Sequence, residues 1–506
     1  MRITWFAFLY KIVYIIKTIN GGGCMIITID DLLKQVREYN ASEEPIIYEA
    51  YRLAEKLHEN QPRESGDPYI THPLAVAYTL SLLKADRDTI CAALLHDAIE
   101  DTGITKEEIE RLFNSTVADL VDGVTKMRKL DYNSSEEAEA ATVRKIIMSM
   151  VKDPRILLIK LADRIHNMQT LEFKKNKLRQ KEFAIETLDF FAPLAHSIGA
   201  YYMKYELEDL SFKFAMPEAY NDVYSKRAAI EIFGQPLLED MISTIRGALE
   251  GEGIPSTTKI RIKNVYGIYT RLQDVSRLSE MDDLMGINIV VDNARNCYYT
   301  LGIIHDHFIH DKGKIKDYIT APKPNMYQAL HTNIRAPKAK MVQARIRDPR
   351  MNKIAEHGLG AYWMLYQGKA LEEMLRDFST KMPYYNAINV IDGLYSNNAE
   401  FVNQIRREVF TNYIFVDTAS GETIELPAGA TPLDFAYKIH SKIGDGYIKA
   451  VVNDEMVPID YILKNSDCVK IMTGEDGAGP EEAWLDIAQT AYAKRKIREY
   501  LRKSDK

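Results

Sequence analysis

Cysteine is scarce in this chain of 506 residues and never occurs in closely spaced pairs. The four cysteines, Cys24, Cys91, Cys297 and Cys468, lie far apart, and there is no CxxC motif. This spacing argues against a disulfide framework or a cysteine-based zinc site, and it fits a reducing cytoplasm. Internal repeats and low-complexity segments are also absent from the sequence.

The chain also lacks a strong excess of charge and a long apolar run. Its net charge is −7, with 46% hydrophobic and 27% charged residues, as in ordinary globular proteins. This length predicts about three domains. The apolar residues 1–24 are broken by Lys11 and are short for a spanning helix. We interpret Met25 as a plausible start; weak membrane association of residues 1–24 is the alternative, and we expect no membrane partner.

Changes in hydrophobic periodicity divide the rest of the chain. From residue 46 to 214, apolar residues recur at spacings of three and four, which predicts helices throughout. Strand-like runs at 287–291 and 341–347 alternate with predicted helices Tyr298–Phe308 and Met351–Tyr366. This alternation is typical of a mixed α/β domain.

The last hundred residues predict a small β-grasp module. The runs YIFVDT and ETIELP flank Ala419–Ser420–Gly421, which indicates a hairpin. Thr431 suits a helix N-cap, Pro432 the first helical position, and Asp434 a capping box. Strands are predicted at YIKAVVN and CVKIMTG, followed by a basic helix at Pro480–Lys503.

Three helical segments carry residues suited to a metal site. His72 lies in THPLAVA, His96 and Asp97 in ALLHDAIEDT, and Asp163 in KLADRIHNMQT. Two imidazoles and two carboxylates suit Mn²⁺, Fe²⁺ or Zn²⁺. Any one of these residues alone is more often a packing residue. Together, the segments predict a metal centre inside a helical bundle.

Further polar residues lie close to this set in the sequence. Helical spacing puts Glu100 and Asp101 beside the His-Asp pair, where a carboxylate can orient or deprotonate water. Asn167 follows the third segment's aspartate by one turn, and Arg63 suits a phosphate contact. The alternative for the two carboxylates is a solvated helix end.

Long motifs resemble a known family in a fixed order. RESGDPYITHPLAVA, AALLHDAIEDT, LVDGVTK and LADRIHNMQTL resemble the HD-type hydrolase domain of long RelA/SpoT homologues, which make and degrade the alarmone (p)ppGpp. CYYTLGIIH, KDYITAPKPNMYQALHT and MNKIAEHGLGAYW resemble their synthetase, and ELPAGATPLDFAYKIH resembles their TGS domain. Long members continue into further regulatory domains.

The resemblance implies a multidomain α+β fold. Its parts would be an all-α HD-type helical domain, a mixed α/β nucleotidyltransferase-like synthetase domain and a β-grasp TGS domain. The expected ranges are an apolar extension at 1–24, the hydrolase at 25–220, the synthetase at 221–369, a helical linker at 370–408, TGS at 409–474, and the start of a helical region at 475–506.

For the hydrolase, the resemblance implies removal of the 3′-diphosphate from (p)ppGpp. The implied Mn²⁺ ligands are His72, His96, Asp97 and Asp163. The implied catalytic residues are Glu100, Asp101 and Asn167, and the implied nucleotide contacts are Arg63, Ser65 and Thr170. Glu64 and Gln169 replace basic residues common in the family, but neither change removes a ligand.

For the synthetase, the resemblance implies Mg²⁺-dependent pyrophosphate transfer from ATP to GDP or GTP. Asp283 matches the metal-binding aspartate, and Tyr327 is expected to stack on guanine. The other matching substrate contacts are Arg261, Lys263, Lys316, Lys323, Asn325 and His331. Without the resemblance, such a basic loop would more often be a solvated surface.

Three departures predict an impaired synthetase. In the strand at 341–347, Gln343 replaces the catalytic glutamate, and a neutral amide cannot take a proton. Asn288 replaces an arginine, and Met326 replaces a loop glycine that can adopt positive φ. Alternation predicts that Val342, Ala344 and Ile346 share one strand face, while Gln343, Arg345 and Arg347 share the other.

The expected function is therefore (p)ppGpp hydrolysis with a weak synthetase. A fully bifunctional enzyme and a catalytically silent nucleotide or tRNA sensor are the alternatives. The TGS-like module implies binding of tRNA or another regulator, with His440 as a candidate contact. The alternative for this module is packing alone.

Overall fold

The fold comes from a computed structural model that describes most of the chain. The described residues are 27–125, 135–272, 278, 281, 283–311, 313, 315–323, 325–336, 341–365, 373, 376, 384–411, 413–474 and 479–504. The predicted extension at 1–24 lies outside them. Among the described helices, none is both long and apolar enough to cross a bilayer.

The chain separates into two compact units. The first contains Met1–Lys126 and Asp153–Arg376, and the second contains Met127–Lys152 and Asp377–Lys506. The division expected from the sequence keeps residues 127–152 in the first domain. The compact units instead assign residues 127–152 to the second unit. The expected domain boundaries therefore stay a prediction.

Helices build the N-terminal part of the first unit, as the periodicity predicts. Helix α4 packs against α2, α3 and α7, and α9 packs against α3, α7 and α12. Helix α8 belongs to the second unit. In chain order the helices are α1 (Ile29–Asn40), α2 (Glu44–Leu57), α3 (Thr71–Leu82), α4 (Arg87–Leu95), α5 (Ala98–Asp101), α6 (Lys106–Leu112), α7 (Ser115–Val124), α8 (Ser135–Lys152), α9 (Arg155–Gln169), α10 (Lys177–Glu186), α11 (Ala192–Ser197) and α12 (Tyr201–Ala215).

Helix α9 is buried on nearly all sides although it carries several charged residues. Because a buried charge is costly unless it is paired, each needs a partner. Lys160 Nζ lies 2.8 Å from Asp163 Oδ2, and Arg164 Nη1 lies 2.9 Å from Glu186 Oε2. These pairs fix the rotation of α9 and therefore the direction of Asp163.

A mixed sheet forms the rest of the first unit. Its strand order is β1-β2-β5-β4-β3, in which β2 and β5 are parallel and the other neighbours antiparallel. The elements are α13 (Pro217–Gly251), β1 (Ser256–Ile262), α14 (Val265–Tyr269), β2 (Met285–Val291), α15 (Ala294–His307), β3 (Lys316–Asp317), β4 (Leu330–Arg335), β5 (Met341–Arg347), α16 (Pro349–His357) and α17 (Ala361–Leu365).

The two faces of this sheet differ in chemistry. The alternation predicted for β5 is confirmed, because Val342, Ala344 and Ile346 are buried in one apolar core with Ile287 and Ile289 of β2. The apolar face is thereby used for packing. The opposite face of the central strands is left for polar side chains.

The predicted helix Met351–Tyr366 is wrong, because the helix ends at His357. Gly358 follows with φ of +54°, and a Cβ added there would collide with the carbonyl oxygen of Ile198. Leu359 N donates to the same oxygen over 3.0 Å. A close backbone contact between distant segments breaks the helix, and no local pattern encodes that contact. Tyr366 lies outside the described residues.

The other side of this contact also needs glycine. Gly199 has φ of +70°, and a Cβ added there would lie 2.8 Å from the carbonyl oxygen of Asn325. It would also lie 3.3 Å from Cα of Gly358. The end of the helical domain therefore meets the mixed domain backbone to backbone.

The second unit contains the predicted β-grasp sheet. Its strand order is β7-β6-β10-β8-β9, with β6 and β10 parallel. The predicted hairpin and the capping box of Thr431 and Asp434 are confirmed. Apart from α8, its elements are α18 (Tyr384–Leu394), α19 (Asn398–Glu408), β6 (Tyr413–Thr418), β7 (Thr423–Pro427), α20 (Pro432–Ile439), α21 (Ser441–Asp445), β8 (Tyr447–Val452), β9 (Glu455–Val457), β10 (Cys468–Thr473), α22 (Trp484–Ile487) and α23 (Ala491–Ser504).

The predicted terminal helix Pro480–Lys503 is wrong at its start. The structure has the short helix α22 and then α23, which begins only at Ala491. The buried carboxylate of Asp434 accepts hydrogen bonds from Gln489 N at 3.1 Å and Thr490 N at 2.8 Å. These bonds hold the two amides outside a helix, so the long-range contact overrides the local helical pattern.

The Gly199–Gly358 contact predicts a specific stability change. Gly358→Ala should destabilise the chain by at least about 1–3 kcal/mol, because the side chain meets both positive φ and a carbonyl oxygen. The control is Gly247→Ala in α13, where a Cβ meets no heavy atom within 4 Å. That change should stabilise the helix by about 0.5–1 kcal/mol. Denaturant unfolding followed by circular dichroism tests both, and equal shifts would contradict the contact.

Candidate active site and metal centre

Three elements bring the predicted metal ligands together. His72 lies in the first turn of α3, and Asp163 lies on α9. His96 and Asp97 occupy the turn between α4 and α5, so the helix predicted through this motif is interrupted. His96 Nδ1 lies 2.8 Å from the carbonyl oxygen of Ala93. In a continuous α-helix, that oxygen would instead accept a hydrogen bond from the backbone N–H four residues later.

The four side chains converge on one point. His72 Nε2 lies 3.2 Å from Asp163 Oδ1 and 3.5 Å from Asp97 Oδ2. His96 Nε2 lies 3.1 Å from Asp97 Oδ2 and 3.8 Å from Asp163 Oδ1. Donor atoms of His72, His96 and Asp163 all lie within 4.8 Å of one another, and all three residues are buried. The group is of the kind that holds a metal ion.

Hydrogen bonding shows that the histidine donors fit such an ion. The bond to Ala93 assigns the proton of His96 to Nδ1, so its Nε2 lone pair faces the two carboxylates. Within the described residues, this buried Nε2 makes no hydrogen bond. An imidazole nitrogen directed at carboxylate oxygens is favourable only with a cation between them, which is a proton in the free site and would be the metal ion in the loaded one.

A residue that the sequence analysis did not assign fixes the other histidine. His166 Nδ1 lies 2.8 Å from His72 Nδ1 and 3.1 Å from Arg63 Nη1. Because arginine only donates, His166 Nδ1 accepts, and His72 donates from Nδ1. This leaves His72 Nε2 as a metal donor. His166 follows Asp163 by three residues, so the spacing rule that pointed to Asn167 could have found it.

The electrostatics also favour a cation at this point. Burial disfavours the charged form of His96, but the Asp97 and Asp163 carboxylates outweigh it and raise the pKa of His96 to about 10. Burial opposes ionisation of both carboxyls, yet their cationic neighbours, His96 foremost for Asp97 and Lys160 for Asp163, keep their pKa values low. A bound metal ion would replace the proton that this field retains.

A tyrosine connects the ligand group with one of the predicted catalytic carboxylates. Tyr69 Oη lies 2.7 Å from Asp97 Oδ2 and 2.9 Å from Asp101 Oδ2. Burial, together with the charge of Asp97, raises the pKa of Asp101. Glu100 and Asp101 are exposed at the end of α5. Their catalytic role stays a prediction.

The predicted nucleotide contacts are brought together only in part. Arg63 Nη2 donates to Asn167 Oδ1 at 3.3 Å and to Thr170 Oγ1 at 3.2 Å, so these three residues form one cluster beside the ligands. Ser65 instead donates to Asp67 within its own loop at 2.8 Å.

A second site lies on the polar face of the mixed sheet. A cavity of about 390 Å³ is lined by strand residues and by side chains of α12 and α16. Of the predicted substrate contacts, Arg261, Lys323, Tyr327 and His331 line this cavity. Burial lowers the pKa of Arg261 to about 10 and also lowers that of Lys323.

The basic groups of this cavity greatly outnumber its acidic groups. Among the described residues that line it, Glu356 is the single carboxylate, whereas Lys259, Arg345 and Arg347 add to the predicted cations. Such an excess of buried donors suits polyphosphate anions. Tyr327 is buried, and its Oη lies 2.6 Å from Arg347 Nη2. Stacking of Tyr327 on guanine stays a prediction.

The remaining predicted synthetase residues do not line the cavity. Lys263 Nζ contacts Asp283 Oδ2 at 3.0 Å, and Asp283 Oδ1 is buried without a hydrogen bond among the described residues. Asn325 Nδ2 donates to Tyr201 Oη at 2.9 Å. Lys316 is exposed on the edge strand β3.

The three departures predicted to impair synthesis have clear structural consequences. Gln343 Oε1 accepts a hydrogen bond from Arg345 Nε at 2.8 Å, so the amide serves as a neutral acceptor. Asn288 lines the cavity, and its Oδ1 is buried without a hydrogen bond among the described residues. Met326 has φ of +62°, so this non-glycine residue adopts the conformation that glycine favours.

His440, the regulator contact expected in the β-grasp module, is exposed after α20. Its Nδ1 accepts a hydrogen bond from Lys442 N at 3.2 Å and caps helix α21. This capping bond is a structural role. It leaves contact with a regulator as a prediction.

Known families match all three folded parts. The family described as "HD domain" matches residues 50–201, "Region found in RelA / SpoT proteins" matches 260–370, and "TGS domain" matches 414–473. The chain is 40% identical over 489 residues to the guanosine-3′,5′-bis(diphosphate) 3′-pyrophosphohydrolase of Aquifex aeolicus, covering 94% of this chain and 67% of that protein. The chain belongs to the RelA/SpoT family. The resemblance and the multidomain α+β fold are thereby confirmed.

Two further relatives carry different names. The chain is 38% identical over 465 residues to the GTP pyrophosphokinase of Myxococcus xanthus, covering 91% of this chain and 61% of that protein. It is 37% identical over 455 residues to the bifunctional (p)ppGpp synthase/hydrolase SpoT of Escherichia coli, covering 90% and 64%. The chain therefore spans about two thirds of the length of these relatives.

The ligand geometry predicts metal binding that depends on His96. The parent chain should bind about one Mn²⁺ in the HD domain. His96→Ala should weaken binding by more than about 100-fold, beyond the effect typical of losing an outer-shell partner. Elemental analysis after equilibrium dialysis measures this, with His307→Ala, an exposed histidine on α15, as the control. Equal metal content in His96→Ala and the parent would refute the site.

Proposed function

We propose that this chain hydrolyses the 3′-diphosphate of (p)ppGpp and releases GDP or GTP and pyrophosphate. The observation that carries the proposal is the buried group of His72, His96, Asp97 and Asp163, with the Arg63 cluster directly beside it. The Aquifex relative carries the name of this activity. In the reaction, water adds to phosphorus, the 3′-O–P bond breaks, and the 3′-oxygen takes a proton.

The proposed cofactor of this reaction is Mn²⁺, held by His72, His96, Asp97 and Asp163. When bound, such an ion would supply Lewis-acid activation of water and of a phosphate oxygen. The mixture of imidazole and carboxylate donors suits Mn²⁺. The buried Lys160–Asp163 pair and the Tyr69–Asp97 hydrogen bond hold the carboxylate ligands in place.

The neighbouring side chains have complementary roles in the proposal. Arg63, fixed by Asn167 and Thr170, would bind the phosphates through its remaining donors. Glu100 would orient or deprotonate the attacking water. Asp101, whose pKa is raised, would deliver the proton to the leaving oxygen.

The catalytic role of Glu100 gives the first functional prediction. Glu100→Gln should keep the metal but lower turnover of ppGpp by about 10²–10⁴, because an amide cannot accept a proton. Glu110→Gln, an exposed glutamate on α6, is the matched control and should retain full turnover. Metal content is measured in each variant. Normal turnover in Glu100→Gln would contradict the catalytic role and leave Glu100 as a solvated residue at the end of its helix.

We further propose that the synthetase region binds guanine nucleotide, and ATP where present, but transfers pyrophosphate slowly or not at all. Its cationic cavity supports nucleotide binding. Gln343 on β5 offers neither a general base nor a negative charge for Mg²⁺. Asp283 would still offer its buried Oδ1, which makes no hydrogen bond to any residue that the structure describes. The preserved cavity also supports the second candidate, a fully bifunctional enzyme using Mg²⁺. The TGS domain would receive tRNA or a protein regulator.

The synthetase proposal predicts a gain of function. Gln343→Glu should raise pyrophosphate transfer from ATP to GDP, because it restores a base and a negative charge on the cavity face. Gln343→Met is the control at the same position and should not raise transfer. Labelled β,γ-phosphate from ATP follows the reaction. Rapid transfer by the parent chain would instead establish the bifunctional candidate, while incubation with ppGpp and Mn²⁺ tests hydrolysis separately.

A further inference from the structure

A second cavity lies inside the C-terminal unit, between α18 and α23. Its volume is about 270 Å³, room for roughly nine water molecules at about 30 Å³ each. Arg495, Arg498 and Arg502 of α23 line one side, and Asn389 and Gly393 of α18 line the other. Spacings of three and four place the arginines on one helix face.

Two of these arginines are held in place but keep unused donors. Arg495 Cζ lies 5.4 Å from the ring centroid of Tyr492, and Arg498 Cζ lies 6.0 Å from that of Tyr395. Among the described residues, Arg495 Nε is buried without a hydrogen bond, and it lies 3.6 Å from Glu499 Oε1 as one half of a loose ion pair. Arg498 Nη1 makes a long contact of 3.5 Å to the carbonyl oxygen of Leu394. Each guanidinium has five N–H donors, so most remain available to a ligand.

The charge of the lining fits a small dianion. Among the described residues that line the cavity, three guanidinium groups face a single carboxylate, that of Glu499, which gives a formal charge of +2. Glu499 Oε2 is already bonded to Lys496 Nζ at 2.8 Å, outside the lining. The planar guanidinium fork matches pairs of phosphate oxygens. The lining is therefore built to receive oxyanions rather than apolar side chains.

We propose that this cavity binds a small anion of the pyrophosphate class, either free or as the diphosphate of a nucleotide. Its volume of about 270 Å³ is large enough to hold the nine non-hydrogen atoms of pyrophosphate together with a few water molecules. A concave space between two helices, with Arg495 and Arg498 half-buried, suits a compact anion better than an extended RNA strand. The site lies within the second unit and does not depend on the proposed hydrolase activity.

Hydrogen exchange of the full chain tests the site with inorganic pyrophosphate in metal-free buffer. Pyrophosphate should slow amide exchange in α18 and α23. The double variant Arg495→Gln/Arg498→Gln should lose this protection and bind at least tenfold more weakly at the site. The matched control is Lys442→Gln/Lys503→Gln, which removes the same charge from two exposed positions of the same unit outside the lining, and it should retain protection.

A second variant separates the site from any folding defect of the arginine variant. Gly393→Leu fills the cavity from α18, where a Cβ meets no heavy atom within 4 Å. It should keep the parent unfolding temperature or raise it, and it should abolish the protection. Protection that persists in both cavity variants, or is lost equally in the lysine control, overturns the proposal.

The remaining arms of the experiment identify the source of the anion. If GDP binds more tightly than pyrophosphate, the ligand of the cavity is the diphosphate of a nucleotide. If pyrophosphate binds more tightly, the ligand is free pyrophosphate. Both outcomes support the site. A third arm adds an RNA oligonucleotide. If RNA protects α18 and α23 through the two arginines while pyrophosphate leaves both helices unprotected, the cavity is part of an RNA surface and the proposal is overturned.

Discussion

The backbone contact between Gly199 and Gly358 is the constraint on which the first unit depends. It ties the end of the HD domain to the synthetase region at the point where α12 begins. Farther along α12, Asp209 accepts hydrogen bonds from Val265 N and Tyr266 N at 3.1 and 2.9 Å. Helix α12 is therefore fixed near both ends, while it packs on α9 and also lines the sheet cavity.

The two candidate sites of the first unit, the metal centre and the sheet cavity, have charges of opposite sign. This difference determines whether a cation or an anion fits each site. In the HD domain, two carboxylates face the Nε2 atoms of two imidazoles, so the centre favours a cation, which is either a proton or a metal ion. In the synthetase region, arginine and lysine side chains surround a cavity in which Glu356 is the single carboxylate among the described lining residues, so the cavity favours anions. Under the proposed function, the cations of the second site would retain affinity for nucleotides. Gln343 in place of a carboxylate would then remove proton transfer without removing that affinity.

Local pattern was sufficient for part of this structure. Metal-type residues in three helical segments indicated the convergence of His72, His96 and Asp163, and a four-residue motif identified the cap at Thr431. Local pattern failed where atoms distant in the sequence decide the structure. The helix ends before Gly358 because the backbone there packs against the carbonyl oxygen of Ile198, at the end of the HD domain. The same reason explains why the support of His72 by His166 was missed. Their rings meet only after α3 and α9 have packed.

The buried carboxylate of Asp434 has a consequence for dissecting this chain into modules. The TGS match ends at residue 473, but Asp434 is satisfied by amides at residues 489 and 490. A fragment cut after β10 would leave the buried Asp434 carboxyl without these two donors. A fragment made from this module should therefore extend past residue 490.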